Sequence, residues 1–150
     1  MPNRPVHDIA RLVTGVAEGM RMSNAATSSH PSLEIVAAAL GGVVGSRCPD
    51  WLEPATAGPR HRAHAHDVVF GVAVAKLPVD EWQAACRRAA AAHESRATLL
   101  PEGSLERLIQ QLLVYFWHAL AGVLCGLRAG YLSHLSLDFT TPSSLPLVGY

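Results

Sequence analysis

Histidines and carboxylates are the groups in this chain that could do chemistry: eight histidines and twelve acidic residues stand among 150. Three groupings matter. Pro49-Asp50-Trp51-Leu52-Glu53 sets two acids just past an apolar stretch. His61-Arg62-Ala63-His64-Ala65-His66-Asp67 brings three imidazoles together. His134-Leu135-Ser136-Leu137-Asp138 places an imidazole four residues before a carboxylate. On a helix that spacing puts both groups on one face, a turn apart, where they can reach the same cation. Imidazole nitrogen beside carboxylate oxygen suits zinc, manganese or iron better than calcium or magnesium. His61 and His66 would diverge by some 140° on a continuous helix. They converge only with His61 in a loop and His66 in a first helical turn, which Pro59 upstream permits.

Each cluster also has a plain structural reading. His61 to His66 could be a solvated loop, and Asp50 after a proline a turn or cap residue. His118, inside an apolar segment, reads as a packed or hydrogen-bonded histidine before a ligand. His7, His30 and His93 lack a partner pattern, although His30 stands just before a helix and could be recruited. The cysteines Cys48, Cys86 and Cys125 form no CxxC pair. They read as small buried apolar residues in a reducing compartment.

Helices must position these groups. Apolar residues at Val6, Ile9, Leu12, Val13, Val16 and Met20 mark one face of a helix over 6–20. After a polar linker at 24–29, Pro31 suits the first turn of a helix running to about Val44. The Gly45 to Pro49 break ends it, and 50–60 reads as a loop. Further helices are expected over 67–77, 78–96, 105–128 and 130–139, the last two able to run on as one. Pro101 to Ser104 is a turn and 140–150 an irregular tail. The expected fold is all-α: one domain over 1–150, a single bundle of about five to six helices, with the metal-site core within 31–142.

Twelve basic residues balance twelve acidic ones without a basic run, which argues against binding nucleic acid through phosphate neutralisation. The N-terminus carries no signal-peptide pattern. Residues 112–127 are apolar except for His118. With their flanks they approach the ~20 residues that cross a bilayer, so a buried core helix and a membrane helix stand on equal terms.

Taken in order, the three clusters resemble a family of small bacterial inner-membrane proteins known as metal-dependent hydrolases, the LexA-regulated inner-membrane protein among them. Its members carry a Gly-rich helix ending in Pro-Asp, then His-Arg-Gly-x-Thr-His-Ser, then Gly-Tyr-x-Ser-His-x-x-x-Asp-x-x-Thr-Pro-x-x-x-Pro-Leu. Here the first block runs from Gly41 to Pro49-Asp50, the second from His61 to Asp67, and the third from Gly130-Tyr131-Leu132-Ser133-His134 through Asp138 and Pro142 to Pro146-Leu147. The third matches most closely. Ala63, Ala65 and Asp67 replace the family's Gly, Thr and Ser, and Leu52 stands where a second Asp is common.

The resemblance implies that Asp50, His61, His66, His134 and Asp138 form a metal site for Zn²⁺ or Mn²⁺, with Asp50 as ligand or general base. Asp67 or Glu53 would orient a ligand histidine. It also implies attachment to the bacterial inner membrane, the alternative being a cytoplasmic protein. Helical His/Asp sites of this kind are similar to those of zinc-dependent phospholipase C, so a phosphoester or lipid-like substrate is expected by analogy. Against the enzyme stands a non-catalytic membrane or interaction protein, with a structural metal or a His/Asp cluster packing helices. A soluble helical adaptor is the third reading.

Overall fold

Small residues at four-residue intervals decide how this chain packs. Gly122, Gly126 and Gly130 repeat along one helix, facing the carbonyls of Glu34, Ala38 and Gly42, which repeat at the same interval along another. A Cβ on any of the three glycines would overlap the facing carbonyl oxygen. The fit is reciprocal, since a Cβ on Gly41 would lie 2.6 Å from the Val123 oxygen. Side-chain-free faces of this kind let two helix backbones touch.

The computed structural model describes residues 4–26, 28–52 and 67–139. The helices are α1 (Arg4–Ala26), α2 (Pro31–Gly45), α3 (Cys48–Leu52), α4 (Val68–Ala75), α5 (Val79–Thr98) and α6 (Leu105–Phe139). Among the described residues there is no strand. Four long helices, α1, α2, α5 and α6, build the bundle, and α3 and α4 are short additions resting on α6. The all-α expectation holds, with slightly fewer bundle helices than the five to six expected.

The central helix is α6, which packs against α2, α5 and α1. Its 35 residues reach about 52 Å at 1.5 Å each. The segments over 105–128 and 130–139, which could run on as one, do so, because Gly130 serves the close approach to α2 instead of ending the helix. Ser104 Oγ accepts from the Arg107 N–H at 3.2 Å and caps its start, following the turn where Gly103 adopts φ +76.

Two further features differ from expectation. Helix α1 continues to Ala26, into the segment read as a linker. Cys48–Leu52, read partly as a break and partly as a loop, is a short helix. Pro49 lies in its first turn, where the missing N–H costs nothing.

The core is lined by small side chains. Ala38, Ala90, Ala121 and Cys125 are all buried. Gln83 crosses from α5 to donate to the Ala121 carbonyl at 2.8 Å. Arg128 ties three helices, reaching Asp80 at 3.2 Å and Glu18 at 3.6 Å. Outside the core, α6 leaves Leu105, Leu108, Leu112, Tyr115 and Phe116 exposed, and α2 leaves Val36 and Leu40 exposed. Helix α6 is long and apolar enough to cross a membrane.

Candidate functional site

The C-terminal third of α6 carries the functional candidates, and the short helices hold it in place. Gly71 of α4 lies against Leu135, and Phe70 packs its ring 5.9 Å from that of Tyr131. Asp67 starts α4: its Oδ1 accepts from the Phe70 N–H at 2.5 Å. Asp67 thereby caps the helix, and the histidines it is expected to orient, His61 and His66, lie outside the described residues.

His134 and Asp138 occupy successive turns of α6, with His134 Nε2 and Asp138 Oδ2 3.4 Å apart. Asp50, on α3, brings its Oδ1 to 3.6 Å from the same nitrogen. The histidine side chain is 7% exposed, that of Asp138 13% and that of Asp50 56%, so the cluster opens to solvent on the Asp50 side. Of the five expected ligands the structure therefore brings three together. His61 and His66 lie outside the described residues, as does Glu53.

Both separations exceed the 2.7–3.2 Å of a good N–H···O bond. They lie in the range of ion pairs, and one imidazole with two carboxylates is a donor set that zinc or manganese accepts. Among the described residues no group of three or more His, Cys, Asp or Glu is arranged to hold a metal ion. A cavity of about 650 Å³ adjoins the next face of α6, lined by Thr14, Glu18, Arg128, Ser133 and Ser136 among others.

A second polar cluster lies in the bundle interior, and the sequence reading did not assemble it. Glu34 of α2 is 2% exposed and His118 of α6 3%. His118 Nδ1 is 2.7 Å from Glu34 Oε1. Arg87 of α5 donates through Nε to Oε1 at 3.0 Å and through Nη2 to Oε2 at 2.5 Å, and Ser28 Oγ donates to Oε1 at 2.8 Å. Burial pushes the Glu34 carboxyl up, but the hydrogen bonds from Arg87, His118 and Ser28 outweigh it and hold the group below the usual carboxylate range. A signal was present: Glu34 is the one charged residue of α2, and His118 stands alone in an apolar run. Isolated ionisable groups buried on apolar helices need partners.

Of the other histidines, His30 and His93 take supporting places. His30 sets its ring 4.9 Å from that of His118 and 5.2 Å from that of Tyr115. His93 Nδ1 is 2.7 Å from Gln110 Oε1. The cysteines are free thiols, Cys86 and Cys125 buried and Cys48 partly so. No protein-family model, curated protein or solved structure matches the chain.

Proposed function

We propose that the protein is a membrane-associated, metal-dependent hydrolase of phosphoester or lipid-like substrates, with Asp50, His61, His66, His134 and Asp138 holding Zn²⁺ or Mn²⁺. The observation that carries this reading is the approach of Asp138 and Asp50 to His134 Nε2, at 3.4 and 3.6 Å, which gathers one imidazole and two carboxylates from two helices. The resemblance of the three sequence blocks to the metal-dependent hydrolase family points the same way.

When bound, the ion would supply a Lewis acid and lower the pKa of water towards neutrality. The residues do the rest. His134 and Asp138, buried on a rigid helix, fix the donor geometry. Asp50, the most exposed of the three, faces the side from which water and substrate arrive and is the carboxylate assigned to take the proton. The adjoining cavity provides room for a substrate. The exposed apolar residues of α6 and α2 supply the surface for lipid.

Turnover of bis-p-nitrophenyl phosphate and of a phospholipid head-group ester tests this. Activity should disappear on EDTA dialysis and return with Zn²⁺ or Mn²⁺. Activity indifferent to chelation, or no turnover by metal-loaded protein, contradicts it. A second reading follows from the same contacts: Asp50, His134 and Asp138 join α3 to α6, so the cluster could serve helix packing in a non-catalytic membrane or interaction protein.

A further inference from the structure

Sixteen residues before His134, about 24 Å back along α6, the buried His118–Glu34 pair ends at an exposed hydroxyl. We propose that Ser29, His118 and Glu34 form a nucleophilic hydrolytic centre, separate from the metal site, that cleaves short carboxylic esters. Ser29 Oγ is 3.1 Å from His118 Nε2, and on the far side of the ring Nδ1 is 2.7 Å from Glu34 Oε1. This is the order of nucleophile, base and orienting acid that acyl transfer requires.

The tautomer follows from the partners. An ionised carboxylate only accepts, so Nδ1 carries the proton towards Glu34 and Nε2 presents its lone pair to the Ser29 hydroxyl. Arg87, bonded to both oxygens of Glu34, keeps that carboxylate charged and fixed. Ser28 Oγ accepts from the His30 N–H at 3.1 Å and braces the turn that carries Ser29.

Burial divides the roles. Glu34 and His118 are shielded, and Ser29 is exposed. Arg87, Ser28 and His118 all bond Glu34, and the Ser29 hydroxyl meets the outer nitrogen of the ring. That hydroxyl is also where a substrate can arrive. Its neighbour His30 lines a cavity of about 220 Å³ with Ala97, Val114, Tyr115, Glu94 and Arg107, room enough for an acyl group. Helix α2 begins two residues after Ser29. Pro31 has no N–H and the Glu34 N–H donates to the His30 carbonyl at 3.2 Å; the Ser32 and Leu33 N–H groups of that first turn are the donors assigned to an oxyanion.

In the first half-reaction Ser29 Oγ bonds to the ester carbonyl carbon while its proton passes to His118 Nε2. The carbon–oxygen bond to the alcohol breaks, and the imidazolium returns that proton to the departing alkoxide. In the second, water gives a proton to Nε2 and attacks the acyl carbon. The bond to Ser29 breaks, its oxygen recovers the proton, and a carboxylic acid leaves. One water is consumed per ester cleaved.

The test uses the full chain after EDTA treatment, so its outcome is independent of the metal reading. A fluorophosphonate probe should add once, on the peptide containing Ser29, and p-nitrophenyl acetate should be hydrolysed. Both reactions should vanish in Ser29→Ala with an unchanged circular dichroism spectrum, and labelling of His118→Gln should slow by about 100-fold. Absence of an adduct on Ser29, or labelling at the parental rate in His118→Gln, overturns the proposal.

Discussion

His134 Nε2 and Asp138 Oδ2 stand 3.4 Å apart across one turn of α6, a separation that the helix imposes on the pair. Both side chains are largely buried, so breaking the pair costs stability in either role, and metal affinity is what separates the two readings. Asp138→Asn keeps the side chain's shape and removes its charge. Zinc affinity by calorimetric titration should fall by more than ~100-fold, beyond the loss usual for an outer-shell partner. Equal affinity in parent and variant would remove Asp138 from the ligand set.

The glycine face of α6 makes a separate prediction. A Cβ on Gly126 would overlap the Ala38 backbone, which cannot move aside as a flexible side chain would. Gly126→Val should therefore separate α2 from α6 and destabilise the fold by about 3 kcal/mol, the upper end for overpacking. Gly103→Ala addresses a different cause. Nothing lies within 4 Å of its added Cβ, but φ is +76, so the cost should be about 1 kcal/mol of backbone strain. Urea denaturation of the two variants should show the difference.

Glu34 makes stability depend on pH. Its folded-state pKa lies below the ordinary 4.5, since hydrogen bonds from Arg87, His118 and Ser28 overcome the opposing effect of burial. A carboxyl depressed on folding stabilises fully above its unfolded pKa, and that contribution is lost as pH falls through the folded value. The urea midpoint should therefore drop as pH is taken below 4.5, and Glu34→Gln should flatten that part of the profile. Arg87→Ala at neutral pH leaves Glu34 buried without its main counter-ion and should cost about 3 kcal/mol. An unchanged midpoint in Arg87→Ala would show that the pair carries no such energy.

Membrane association depends on the exposed apolar residues of α6. Leu112 and Phe116 are each about half exposed, at 56% and 54%. Moving both into lipid is worth about 2–3 kcal/mol in total. The protein should float with phosphatidylcholine/phosphatidylglycerol vesicles, and a Leu112→Glu/Phe116→Glu variant should bind them about 100-fold more weakly. A parent protein that stays in the aqueous fraction would contradict the assignment.

The all-helical fold was legible because apolar periodicity and proline positions act locally. Pro31 and Pro78 each stand at a helix start, and Asp67 marks the boundary before α4. Open points and errors arose where tertiary packing sets the meaning of a residue. At Gly130 the sequence leaves open whether one helix or two follow, and packing decides it, since its bare face meets Gly42. Pro49 reads as a stop and instead occupies the first turn of α3. The pairing of His134 with Asp138 could be read from spacing, since one helix carries both. The approach of Asp50 to that pair was inferred through family resemblance. The Glu34–Arg87–His118 cluster draws on three helices, and no local spacing encodes it.

Elemental analysis of the purified protein beside a His134→Ala/Asp138→Ala variant tests the central claim most directly. The metal-site account predicts about one or two equivalents of zinc or manganese in the parent, consistent with the ligand count of such sites, and loss of that metal in a variant whose helical spectrum is preserved. A parent protein that holds no metal after supplementation, with its fold intact, would contradict the account and leave Asp50, His134 and Asp138 as a helix-packing cluster.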